Sequence, residues 1–99
     1  MIMAQLHLQD IASKEALHDR LTQILNLPDY YGRNLDALYD ILTERGEQTI
    51  LWVYSNAQTD LQLNGYLSAL LDTLQDAAAE TPALSICIVD EDELGEIDN

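Results

Sequence analysis

Six consecutive residues, Thr49-Ile50-Leu51-Trp52-Val53-Tyr54, are β-branched, apolar or aromatic throughout. A run of that kind has no polar face to offer water, so it reads as the most buried strand of a sheet. Two further strands have one softer face. Over residues 2–8, Ile2, Ala4, Leu6 and Leu8 point one way and Met3, Gln5 and His7 the other. From Leu84 to Val89, Leu84, Ile86 and Ile88 oppose Ser85 and Cys87. Alternation of this sort marks a strand covered on one side only.

The intervening segments carry helical spacing. Ser13 can cap a first helix, Leu17, Leu21, Ile24 and Leu25 form its apolar stripe, and Pro28 marks its end. Asn34 can cap a second, with Leu35, Leu38, Ile41 and Leu42 inward and Gly46 suited to the exit. Ser55 opens a short helical turn reaching about Gln62, which Asn64-Gly65 breaks. A last amphipathic helix turns Leu67, Leu70, Leu71, Leu74 and Ala78 inward and stops before Pro82.

Strands joined by helical connections must run parallel, because a hairpin cannot link them. Two right-handed crossovers stepping the same way put the strands in order 1-2-3 and the helices on one face. The sequence therefore predicts an α/β fold of two layers, a three-stranded parallel sheet with about four helices. A third layer would need both sheet faces apolar, which Gln5, His7 and Ser85 oppose. Residues 1–89 form one domain, and residues 90–99 are an acidic tail expected to be partly disordered.

Charge then narrows the function. Eighteen acids face four bases, for a net charge of −14. Phosphates would be repelled, so neither nucleic acid nor an anionic membrane surface suits as a partner. A basic protein does, and long-range attraction would speed the encounter. The plain alternative is an acidic surface that keeps the chain soluble. A single cysteine, Cys87, allows no internal disulfide, which fits a reducing compartment. The N-terminus lacks a basic lead and a long apolar core, so no signal peptide is read and a cytoplasmic location is expected.

The acids concentrate on one helix. At ~100° per residue, Asp36, Asp40, Thr43 and Glu44 lie opposite Leu35, Leu38 and Leu42, with Tyr39 at the boundary. Like charges four residues apart cost about 0.2–0.5 kcal/mol. That penalty is small, so a solvated acidic face remains an open reading of this helix alone. The preceding loop adds Asp29, Tyr30, Tyr31, Gly32 and Arg33. Two adjacent tyrosines cannot easily both bury in such a loop, and tyrosine is a favoured interface anchor. One ring is expected to cover the core edge and the other to face outward. Gly32 is expected to supply a backbone conformation that a bulkier residue would resist.

The run Leu27-Pro28-Asp29-Tyr30-Tyr31-Gly32-Arg33-Asn34-Leu35-Asp36-Ala37-Leu38-Tyr39-Asp40 resembles the signature of the barstar family, intracellular protein inhibitors of small secreted microbial ribonucleases. The likeness extends over nearly the whole chain, through His18, Trp52, Asn64-Gly65 and the last strand. It implies that the second helix and its preceding loop plug a ribonuclease active site. By motif position, Tyr30, Tyr31, Asn34, Asp36, Tyr39, Asp40 and Thr43 inherit interface roles, with Asp40 central. Gly32 and Glu44 flank them. Several positions depart from the family pattern. Tyr39 stands where tryptophan is common, Glu44-Arg45 replaces a small residue followed by an aromatic, and Arg33 stands where an acid can occur. On the last helix a contact acid falls at Gln75, with Asp76 beside it but turned by ~100°.

Other constellations carry little. His7 and His18 have no metal spacing, and Cys87 has no neighbour that would make it a thiolate. No nucleophile motif surrounds any serine, and the Asp36/Asp40 pair sits in too small a domain for glycoside hydrolysis. Trp52 and Tyr54 read as core, although an uncovered sheet face could let the chain self-associate. The sequence thus predicts a non-enzymatic inhibitor without cofactor or metal. It is expected to be monomeric when free and to bind a small basic ribonuclease 1:1. An immunity protein or antitoxin against another basic toxin, or an acidic adaptor, are the alternatives.

Overall fold

The computed structural model describes residues 1–55 and 65–90. Three parallel strands, β1 (Ile2–His7), β2 (Thr49–Ser55) and β3 (Leu84–Asp90), form one sheet in the order β1-β2-β3. The register sets Leu51 between Ala4 and Ile86, and Val53 between Leu6 and Ile88. Among the described residues there are three α-helices: α1 (Lys14–Leu25), α2 (Leu35–Glu44) and α3 (Tyr66–Glu80). The expected helical turn running to Gln62 lies outside the described residues, save that Ser55 is the last residue of β2. The proposed tail also lies outside them, except Asp90, which pairs with Ser55 as the end of β3.

The two-layer arrangement follows from the burial of alternate strand residues. Ala4, Leu6, Leu51, Val53 and Leu84 are buried on the helix side with Leu17, Leu21, Leu25, Leu38, Leu42, Leu70 and Leu74. Full burial of one such leucine is worth about 1.5–3 kcal/mol, so these stripes fix the packing. On the other face Ile50 is half-buried, and Met3, Gln5, Ser85 and Cys87 are exposed. Trp52 and Tyr54, read from the sequence as core, are also only half-buried and lie outside the core, because no helix covers them among the described residues. There the His7 ring stacks on Tyr54 with centroids 4.4 Å apart.

Local details depart from expectation at three points. Leu8 leaves the strand for a single 3-10 turn, Leu8–Asp10, yet stays fully buried. On α3 the fully buried alanine is Ala77, and Ala78 flanks the core half-buried, because the helix presents Leu67, Leu70, Leu74 and Ala77 squarely to the sheet. Gly32 does not have a positive φ; the left-handed residue is Arg33, at φ 58°. Space explains Gly32 instead, since a Cβ there would sit 3.3 Å from the Ala37 Cβ. Arg33 accepts a conformation that disfavours side chains while its guanidinium bonds Asp19 Oδ1 at 2.5 Å and the Glu15 carbonyl at 3.2 Å.

Candidate partner-binding surface

Each end of α2 is fixed by a side chain. The Asn34 Oδ1 accepts from the Ala37 N–H at 2.8 Å, an N-cap worth about 1 kcal/mol. At the other end Gly46, at φ 64°, turns the chain out of the helix. Arg45 reaches back and donates to the carbonyls of Leu25 (2.9 Å) and Asn26 (3.3 Å), which close α1. The guanidinium thus satisfies the carbonyl end of one helix and ties it to the end of the next.

The two tyrosines of the loop part company. Tyr30 is 83% exposed and Tyr31 only 6%. Tyr31, which the resemblance placed among the contact residues, has its ring in the core. It belongs to a chain of hydrogen bonds centred on buried His18. Tyr66 O–H donates to His18 Nε2 at 2.8 Å, and His18 Nδ1–H donates to Tyr31 Oη at 2.6 Å. Tyr31 O–H in turn points at the Asn34 carbonyl at 3.5 Å. This is the tautomer that gives each group one partner for each proton. It joins α1, the loop, the cap of α2 and the start of α3. The sequence shows only that His18 has no metal spacing, and its partners lie too far along the chain to be inferred.

Burial, then the Arg33 guanidinium, hold His18 below its ordinary value of 6.5, with Asp19 opposing. Burial, then neighbouring Tyr66, push Tyr31 up to about 12, with Arg33 opposing. The signs differ. Below pH 6.5 the unfolded histidine binds a proton that the folded one resists, so stability is lost as pH falls. Between about 10 and 12 the unfolded tyrosine releases a proton that the folded Tyr31 keeps, so stability is lost as pH rises. Thermal melts across pH should therefore show a plateau from about 7 to 9.5 with losses on both sides. A His18 ring titrating at or above the ordinary value by NMR would contradict the acid limb.

The outward face of α2 is acidic. Asp36, Asp40 and Glu44 are exposed along one side, and Thr43 is half-buried beside them, its hydroxyl bonded to the Tyr39 carbonyl at 2.9 Å. α2 packs against α3, which adds acids from a second element. Partial burial, then the carboxylates of Glu80, Asp76 and Asp40, raise the pKa of Tyr39. Those three carboxylates therefore all act on one hydroxyl at the α2–α3 contact. Asp76 and its neighbour Gln75 are both exposed, and of the two only Asp76 acts on Tyr39. Glu80 was missed by sequence reasoning, although Asp72, Asp76 and Glu80 recur every four residues on α3 as the acids do on α2. Among the described residues, none of Asp36, Asp40, Glu44, Asp76 and Glu80 has an ion-pair partner.

Two open grooves meet at Tyr30. One, of about 250 Å³, lies between Tyr30, Gly32, Ala37, Asp40, Ile41 and Glu44. The other, of about 420 Å³, runs past Asn26, Pro28 and Arg45. Among the described residues no group of three or more His, Cys, Asp or Glu side chains could hold a metal. No helix there is long and apolar enough to cross a membrane.

α2 and the loop before it thus present exposed, unpaired carboxylates and an exposed aromatic ring from a small α/β scaffold. The chain belongs to the Barstar (barnase inhibitor) family, whose model matches residues 1–93. It is also similar to the "Putative ribonuclease inhibitor YrdF" of Bacillus subtilis (strain 168), at 40% identity over 73 residues, which cover 73% of this chain and 80% of that protein.

Proposed function

We propose that this protein is a non-enzymatic inhibitor of a small basic ribonuclease of the secreted type. It forms a 1:1 complex in which α2 and the loop before it fill the active site. The free protein is a cytoplasmic monomer. The observation that carries this reading is the exposed row of Asp36, Asp40 and Glu44 on α2, beside exposed Tyr30, with no ion-pair partner for any of them among the described residues.

A ribonuclease gathers Arg, Lys and His about the scissile phosphate. Carboxylates on a rigid helix can satisfy those groups without offering a bond to cleave. Arginine can take a carboxylate through two parallel hydrogen bonds. Repulsion among the acids in the free inhibitor is relieved in the complex, which favours the bound state. Asp40 stands at the centre of this face, between the Tyr30 groove and the α3 acids. Asp36, Asn34, Tyr39, Thr43 and Asp76 surround it, with Gly32 and Glu44 on the groove side and Gln75 at the margin.

Titrating the protein into several small guanyl-preferring ribonucleases should abolish RNA cleavage by at least one of them at one equivalent. Full activity of every enzyme under excess protein would overturn the reading. Association should also be steered by charge. Its rate constant is expected to fall at least ~10-fold between ~50 mM and ~500 mM salt, as screening shortens the reach of the field. A rate independent of salt in stopped-flow measurements would contradict steering.

A further inference from the structure

Glu44 is placed where a free helix would not choose an acid. It ends α2, at the negative pole of the helix dipole, one turn beyond Asp40. Neither circumstance gives the helix a reason to carry an acid at that position. The adjacent cation does not relieve it, because Arg45 is turned away to the carbonyls of Leu25 and Asn26. Glu44 has no ion-pair partner among the described residues.

Glu44 lines both grooves that meet at Tyr30. The smaller one has a definite chemistry. Its lining combines exposed Tyr30, the small and aliphatic residues Gly32, Ala37 and Ile41, and the two acids Asp40 and Glu44. At about 250 Å³ it is below the roughly 300–1,000 Å³ of small-molecule sites. The slot suits a side chain instead. An aromatic residue, aliphatic residues and two acids lining one groove match a planar cation on an apolar stem. Guanidinium stacks on a tyrosine face and forks onto carboxylate oxygens, whereas an ammonium does only part of this.

We infer that this slot receives an arginine side chain of the ribonuclease and that Glu44 is the specificity-determining residue that selects for it. The inference rests on the inhibitor reading above. Asp40 serves the centre of the surface, and Glu44 discriminates among enzymes by what they present at the Tyr30 edge. An enzyme with an apolar or acidic group there leaves Glu44 desolvated and unpaired, and binds weakly.

The full chain, isotope-labelled, is titrated with N-acetyl-arginine N-methylamide and, separately, with its lysine counterpart at equal ionic strength. Arginine is expected to give saturable amide shifts at Gly32, Ala37, Ile41 and Glu44, with affinity reduced at least ~5-fold in Glu44→Gln. Absence of saturable shifts, an equal response to lysine, or an unchanged response in Glu44→Gln would overturn the inference. A backbone spectrum superimposing elsewhere shows that the variant is folded. With any ribonuclease that the protein inhibits, Glu44→Gln should raise Kd at least ~10-fold. Glu47→Gln, an exposed acid outside the slot, should leave Kd unchanged. Equal losses from both would mean bulk charge alone and would also overturn the inference. Should the protein inhibit no ribonuclease, the inhibitor reading falls, and the arginine titration still decides what the slot binds.

Discussion

Replacing Asp40 by alanine is expected to weaken the complex with the inhibited ribonuclease by at least ~2 kcal/mol, about 30-fold in Kd, while leaving the fold intact. That figure is the general threshold for an interface hot spot, for which the barnase–barstar pair is itself a standard example. The physical reason is asymmetric. Truncation removes a carboxylate and strands the enzyme's cations in a desolvated interface without a counter-charge. Asp36→Ala should cost less, since Asp36 lies a turn away from Tyr39 and the α3 acids. Some of its effect would come from the helix itself, because a first-turn acid favours α2 by roughly 0.3–1 kcal/mol. Free-state stability of Asp40→Ala should stay within ~0.5 kcal/mol of the parent, as is usual for exposed positions. Calorimetry giving the parent affinity for Asp40→Ala would remove Asp40 from the centre of the site.

Leu38→Ala should behave in the opposite way. Leu38 is fully buried on the inner side of α2, in the same helical turn as Asp40's outward carboxylate. Deleting its side chain removes transfer energy and leaves a cavity that the packed α2–α3 contact can only partly close. Such changes cost about 2–5 kcal/mol. A domain this size has only ~5–15 kcal/mol in total, so the midpoint of urea unfolding should drop sharply. A loss below ~1 kcal/mol would mean that α2 is not held by the core as described. The two variants separate the helix's faces: one carries binding, the other carries position.

Much of this arrangement is legible in residue order. The unbroken apolar run at 49–54 and the helical spacing between strands dictate a parallel sheet, and the alternation in the flanking strands dictates one open face. The split between Tyr30 and Tyr31 follows from the room available in a loop. Other features depend on contacts that the chain order hides. His18 meets Tyr31 and Tyr66 across 13 and 48 residues, so its burial is set by tertiary packing. Arg33 takes the left-handed conformation beside a glycine that does not, because Asp19 and the Glu15 carbonyl hold its side chain. Glu80 joins the acidic face only once α3 lies against α2. Its spacing from Asp76 was visible, but the direction that spacing faces was not.

The most direct test is a map of the complex in solution. Amide shifts of the labelled chain, with and without an inhibited ribonuclease, should change at Tyr30 to Glu44 and at Asp76 and Glu80, and stay fixed on the open sheet face. If those residues kept their free-state signals while Met3, Trp52 and Cys87 shifted, the enzyme would be gripped from the opposite side and the acidic helix would have no part in it.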